Sequence, residues 1–195
     1  MTATAPETIT IQPWEPDPAF LVRVIHGIAP AVAAAGQRAG LAWVSDGRAL
    51  LGALAENESA FDELKAPRFE GSYYYGSAKY KAQTPQGQVL REAIKLQGAL
   101  AACSWGPWQI MALNAMRFGY PLRAPLYNLW NPDVSGPYVA KLVVEILTQQ
   151  RPPNPAEFGD AYNSGNWRDP MTPAVQQYEE RFARHFADVV ARRGL

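Results

Sequence analysis

The sequence predicts a mainly α-helical domain with one small β-hairpin or irregular insertion around residues 62–83. Apolar residues recur at helical spacing through most of the chain. The stretch at 62–83 breaks that spacing with consecutive tyrosines set between glycines, a composition typical of turns and short strands. The 195 residues are enough for one domain with a buried core, which we place at 19–195.

The first 18 residues differ from the rest and are predicted to form an extended N-terminal arm. They combine alternating Thr and Ile with several prolines, and they lack the basic and apolar regions of a secretory signal peptide. No apolar run in the chain approaches the roughly 20 residues needed to cross a bilayer, so we expect no membrane span.

Helix-start and helix-stop residues divide the remaining chain. The predicted helices lie at about residues 17–36, 46–57, 85–102, 112–119, 132–150, 156–162 and 173–192. Within the first, Pro30 is expected to kink or split the helix, because proline lacks the backbone N–H that a helix interior needs. Ser45 or Asp46 can cap the second helix, and Asn163-Ser164-Gly165 is a natural stop for the sixth.

Charge balance and the scarcity of Cys and His exclude several function classes. Lys and Arg total 18, as do Asp and Glu, so no basic surplus points to a nucleic-acid partner. The single Cys103 cannot form an internal disulfide, and two histidines disfavour a His-rich metal site. The motifs of serine hydrolases, zinc proteases, P-loop enzymes and dinucleotide-binding domains are missing. We expect no metal and no cofactor.

Glu58 is the leading candidate for a catalytic group. It lies at or just beyond the end of the second predicted helix, where the helix dipole disfavours an anion and apolar neighbours desolvate it. Both effects raise a carboxyl pKa, and a carboxyl that keeps its proton near neutral pH can act as a general acid.

Two later stretches carry residue types that suit a carbohydrate cleft. Residues 103–111 include Trp105, Gly106, Trp108 and Gln109, which fit a cleft wall with aromatic faces and one amide directed at a ligand. The alternative is a helix start with two core tryptophans. A tyrosine hydroxyl near the acid, such as that of Tyr162, can hydrogen-bond it and help to set its protonation.

These motifs resemble known signatures, and they occur in the same order. Glu58-Ser59, Gly106-Pro107-Trp108-Gln109-Ile110 and Ala161-Tyr162-Asn163-Ser164-Gly165 are similar to the motifs of the lysozyme-like lytic transglycosylases. A closer resemblance, over roughly residues 30–190, is to the N-acetylmuramidase domain of phage endolysins. It rests on Ser104 to Asn114, on Phe69-Glu70 followed by Tyr73 to Tyr75, and on Phe158 to Gly165.

The resemblance implies a lysozyme-like α+β fold and cleavage of the β-1,4 bond between N-acetylmuramic acid and N-acetylglucosamine in the peptidoglycan glycan strand. It assigns catalysis to Glu58, with Glu70 as a supporting carboxylate. The substrate-binding residues that it implies are Ser59, Tyr73, Trp108, Gln109, Tyr162 and Asn163. The chain departs from the family in two ways: Gly71-Ser72 follows Phe69-Glu70, where the family has Arg-His, and the interval from Glu58 to Glu70 is shorter than usual. Asp62 is the other nearby carboxylate.

The absence of a signal peptide suits a phage protein. We expect an endolysin released from the host cytoplasm, or a virion-borne hydrolase docked to other virion proteins through the N-terminal arm, acting on the cell wall in the periplasm. Two other functions stay open: a catalytically silent structural or cell-wall-binding component of a virion, and a chitinase. The sequence leaves open whether cleavage proceeds by hydrolysis or by transglycosylation.

Overall fold

The computed structural model describes residues 18–62, 65–75 and 84–192, and it confirms a mainly α-helical, lysozyme-like fold with a small antiparallel sheet. The α-helices are α1 (Pro18–Ala39), α2 (Gly47–Ser59), α3 (Gly71–Tyr74), α4 (Pro85–Gln97), α5 (Ala112–Arg117), α6 (Pro132–Glu145), α7 (Pro155–Ser164) and α8 (Pro173–Ala191). The strands are β1 (Arg68–Phe69), β2 (Cys103–Trp105) and β3 (Ile110–Met111). The predicted arm lies outside the described residues, apart from Pro18, which begins α1.

Helix ends lie close to the predicted ones because capping residues set them locally. Asp46 accepts a hydrogen bond from the Arg48 amide (2.9 Å) at the start of α2. At the other end, Ala60 adopts a left-handed conformation (φ 56°) and its amide N–H bonds back to the last turn. This stop places Glu58 in the final turn of α2, where the sequence predicted it.

The first helix differs from the prediction in two ways. It is not split at Pro30, which lies on an exposed face where water can hydrate the carbonyl that loses its partner. Its segment Ala19–Ala39, with a mean hydropathy of 1.6, is also long and apolar enough to cross a membrane by length and composition. Leu21, Ile25 and Val32 are nevertheless buried, and the helix packs against α2 and α6 as a core helix does.

The small sheet joins two distant parts of the chain. β1 pairs antiparallel with β2, setting Arg68 opposite Ser104, and β2 pairs with β3 through the tight turn at 106–109. The described part of the 62–83 insertion therefore gives one strand to a three-stranded sheet, and the hairpin lies at 103–111. Residues 63–64 and 76–83 are outside the described part of the chain.

The core forms around α2, which is buried on most of its surface. Helices α1 and α8 both pack along it, and α7 packs on α8. Trp105 and Trp108 fill the space beside them, and the Trp108 indole N–H donates to the carbonyl of Leu51 (3.0 Å). Because α8 lies along α2, its side chains reach the last turn of α2.

Candidate active site

A continuous groove runs past the sheet and between α5, α6 and α7. It consists of two adjoining parts that share a lining of Tyr73, Met111, Asn114, Leu142, Tyr162 and Asn163. One part, here called the acid end, adds Glu58, Arg68, Glu70, Ser104 and Gln109. The other, here called the distal end, adds Gln86, Arg117, Glu145 and Gln150.

Glu58 is the most strongly perturbed carboxyl of the groove. Its Oε1 accepts a short hydrogen bond from the Tyr178 hydroxyl and a second one from Asn57 Nδ2 (3.2 Å). Burial raises the pKa of Glu58, and the Tyr178 hydrogen bond and the charge of Arg68 offset that rise only in part. The raised pKa agrees with the sequence argument, and desolvation is its main cause.

One hydrogen-bond partner of Glu58 comes from α8, a helix that supplied no candidate site residue in the sequence. The Tyr178 hydroxyl reaches the acid, and burial beside Glu58 raises the pKa of Tyr178 well above its usual range. Arg181, one turn later, donates from Nε to Asn57 Oδ1 (2.7 Å). A buried tyrosine predicts some partner for its hydroxyl, but the sequence offered no sign of which one.

Glu70 lies at the acid end and is paired with a cation. Arg68 Nε is 2.6 Å from Glu70 Oε1, and the Glu70 amide donates to the carbonyl of Ala102 (2.9 Å), which continues the β1–β2 pairing. Arg68 also lowers the pKa of Glu58 through its charge. Arg68, which the sequence analysis did not single out, therefore interacts electrostatically with both carboxyls.

Gln109 lines the acid end as part of a rigid turn. Its backbone is left-handed (φ 45°), and its backbone N–H donates to the carbonyl of Gly106 (3.0 Å). The side chain is held at both ends: Ser104 Oγ donates to Oε1 (3.0 Å), and Nε2 donates to the same Gly106 carbonyl (3.0 Å). One proton of Nε2 remains for a ligand.

Gly106 is required at this turn for two reasons. Its φ is 69°, a region that residues with a Cβ rarely adopt. A Cβ added there would also lie 2.9 Å from the carbonyl oxygen of Leu129. The hairpin therefore depends on glycine to approach the neighbouring segment and to hold Gln109 in place.

Three further predicted binding residues line both parts of the groove. They are Tyr73, Tyr162 and Asn163. The Tyr162 hydroxyl donates to the carbonyl of Trp108 (2.8 Å), which ties α7 to the hairpin. The tyrosine that hydrogen-bonds the acid is thus Tyr178, whereas Tyr162 supports the wall beside it.

Two predicted binding residues belong to the core instead, and this corrects the sequence analysis. Trp108 is completely buried, and its only polar side-chain atom is satisfied by Leu51. Ser59 is 4% exposed, and its hydroxyl bonds back to the carbonyl of Ala55 (2.8 Å), one turn earlier in α2. Neither side chain is part of the groove lining, because the turn and the helix direct both inward.

Within residues 18–62, 65–75 and 84–192, no group of three or more His, Cys, Asp or Glu side chains is arranged to hold a metal ion. Cys103 is buried with a free thiol, and burial raises its pKa. The polar side chains that line the described groove are carboxyls, amides, hydroxyls and the guanidinium groups of Arg68 and Arg117.

Comparison with known proteins gives one family. Residues 42–129 match the family model of the N-acetylmuramidases. The matched stretch contains Glu58, Glu70 and Gln109, and it ends before α6, α7 and α8 begin. No curated protein and no solved structure matches the chain.

Proposed function

We propose that the chain is a peptidoglycan-degrading enzyme of the glycoside hydrolase type, with Glu58 as its general acid, and the match of residues 42–129 to the N-acetylmuramidase family supports this. The observation that carries this proposal is a buried carboxyl with a raised pKa in the lining of a polar groove. The bond cleaved is the β-1,4 bond between N-acetylmuramic acid and N-acetylglucosamine.

In the proposed step, Glu58 transfers its proton to the glycosidic oxygen as the bond from that oxygen to the anomeric carbon breaks. The departing sugar keeps the oxygen as a hydroxyl, and positive charge develops on the anomeric carbon of the sugar left behind. Water, or the 6-hydroxyl of that sugar, then bonds to this carbon and gives its proton to the Glu58 carboxylate. A carboxyl whose pKa is raised by burial can hold the proton near neutral pH until that moment. Glu70 is the proposed supporting carboxylate, since it shares the acid end with Glu58.

The groove suits an N-acetylated glycan strand. Hydroxyl and amide groups occur along its whole length, from Ser104 and Gln109 at the acid end to Asn163 in the middle and Gln86 at the distal end. Groups of this kind hydrogen-bond sugar hydroxyls and acetamido groups. The strand would lie across both parts, with the cleaved bond at Glu58.

The resemblance of residues 104–114 to phage endolysins supports a further proposal about origin. The protein would be phage-encoded and would reach the periplasmic cell wall as an endolysin or as part of a virion. In a virion, the arm at residues 1–18 would provide the docking segment.

Mass spectrometry of fragments released from purified sacculi tests the proposed function. We expect the wild type to release muramidase products, and Glu58→Gln to release them about 10²- to 10⁴-fold more slowly, the usual contribution of a general acid. Glu92→Gln is the matched control, because Glu92 is exposed on α4, pairs with Lys95 and is not part of the groove lining. Its rate should equal that of the wild type.

Each other outcome has a definite meaning. Equal rates for Glu58→Gln and wild type would remove Glu58 from its role. Wild-type protein that binds sacculi but releases no fragment at any pH would favour the silent virion component. Cleavage of chitin oligomers without cleavage of peptidoglycan would contradict the substrate. Reducing ends among the products identify hydrolysis, and 1,6-anhydro ends identify transglycosylation.

A further inference from the structure

The acid end includes contacts from α8, which lies beyond the stretch that the family model matches. We infer that Tyr178 is a positioning residue for Glu58, and that Arg181 acts behind it by orienting Asn57. The three side chains hold the acid in the geometry needed for proton transfer. This inference rests on the proposed role of Glu58.

Both hydrogen bonds to the acid fall on the same carboxyl oxygen. Tyr178 and Asn57 each donate to Oε1 of Glu58. In a neutral carboxyl the carbonyl oxygen is the better acceptor, so two donors on Oε1 favour the arrangement in which Oε2 carries the acid proton. The two donors therefore fix both the rotation of the carboxyl group and the atom that delivers the proton.

Arg181 orients the second donor and also touches the first. Its Nε donates to Asn57 Oδ1 (2.7 Å), which turns the amide so that Nδ2 points toward Glu58. Its guanidinium carbon lies 5.3 Å from the centre of the Tyr178 ring, within the range of a cation–π contact. One arginine of α8 thus holds both partners of the acid.

The same contacts influence whether Glu58 is protonated or ionised. Among the described residues, the titratable and charged groups that act on Glu58 or share its pocket are Arg68 and Glu70 at β1, Tyr73 of α3, Tyr162 of α7, and Tyr178 and Arg181 of α8. Burial favours the protonated acid, whereas the Tyr178 hydroxyl favours the carboxylate. Loss of the hydroxyl should raise the pKa of Glu58 further and leave a weaker, less ordered acid.

Tyr178→Phe is the decisive variant, with Tyr120→Phe as its matched control. The buried Tyr120 also loses one hydroxyl bond, to the carbonyl of Pro125, but that bond is not made to Glu58. In Tyr178→Phe we expect kcat to fall about 10- to 100-fold, as for a lost bond to a charged group, with KM unchanged. The alkaline limb of its pH profile should move to higher pH. Tyr120→Phe should keep the wild-type profile.

Titration of the Glu58 carboxyl by ¹³C NMR gives a readout that does not depend on turnover. The pKa of Glu58 should rise in Tyr178→Phe and stay unchanged in Tyr120→Phe. Arg181→Gln should also raise the pKa of Glu58 and lower kcat, each by less than Tyr178→Phe does. Arg184 is an exposed neighbour on α8, and Arg184→Gln should change neither quantity. The arginine pair keeps the test decisive if Tyr178→Phe does not fold.

The results separate this inference from the proposed function. The positioning role would be overturned if folded Tyr178→Phe kept the kcat, the pH profile and the carboxyl titration of the wild type. A loss of activity in Glu58→Gln would still support the proposed function in that case. Full activity in Glu58→Gln would overturn both.

Discussion

The two ends of the groove hold their charged groups in opposite ways. At the acid end, the carboxyl of Glu58 is largely removed from water and held by Tyr178 and Asn57. At the distal end, Arg117 and Glu145 form an ion pair (2.8 Å) whose side chains remain 34% and 26% exposed. Burial makes the protonation of Glu58 depend on its neighbours, whereas water screens the distal pair. Under the proposed function, the acid end would carry the chemistry and the distal end would contribute to substrate binding.

Gly106→Ala should show the largest effect on stability, because the wall of the acid end depends on this turn. A left-handed alanine costs about 1–2 kcal/mol, and the close approach to Leu129 adds a steric cost, for a total of about 2–4 kcal/mol. Gly98→Ala is the matched control: it has a similar φ of 62° but no neighbouring atom within 4 Å of an added Cβ. Equal losses in urea unfolding would show that the approach to Leu129 costs nothing.

Glu58→Gln should stabilise the folded protein at neutral pH. The pKa of Glu58 is higher in the folded protein than in the unfolded chain. Its presence therefore lowers the free energy of unfolding as the pH rises from the unfolded pKa, about 4.3, to the folded pKa. The gain in the free energy of unfolding on replacing Glu58 by Gln is therefore complete above the folded pKa and absent below about pH 4. Thermal unfolding at both pH values measures it. Equal stabilities of Glu58→Gln and the wild type at both pH values would contradict this prediction.

Arg117→Gln should show the smallest effect. An exposed ion pair contributes about 0–1 kcal/mol, so stability should barely change. If the distal end serves binding, KM for glycan oligomers should rise up to about fivefold while kcat stays constant, the signature of an interaction made equally in the ground and transition states. A lower kcat at unchanged KM would place the distal end in the chemistry.

Features set by neighbouring residues were predictable from the sequence. The cap at Asp46 and the stop at Gly165 depend on a few adjacent residues, and the helix ends there agree with the structure. The raised pKa of Glu58 was predictable for a related reason, because its place at the end of α2 and its apolar neighbours can be read locally. The match of residues 42–129 agrees with the motifs noted in that stretch.

Features that pair distant residues were not predictable. Arg68 and Ser104, opposite each other in the sheet, are 36 residues apart, and no local pattern identifies that pairing. Prediction from the sequence was also limited for two adjacent residues, Trp108 and Gln109. The left-handed turn at Gln109 decides that the tryptophan enters the core while the glutamine lines the groove, and the sequence did not specify that conformation.

The contact between Tyr178 and Glu58 spans 120 residues, and this separation ties activity to the completion of folding. During synthesis the acid emerges long before the tyrosine that holds it, and closing so long a loop is a late and entropically costly event. A folding intermediate with α2 and the hairpin in place but α8 undocked would contain every motif that the family model matches. Its Glu58 would nevertheless be exposed to water and would lack the hydrogen bond from Tyr178. Under the proposed function, docking of the last helix would be the step that completes the active site.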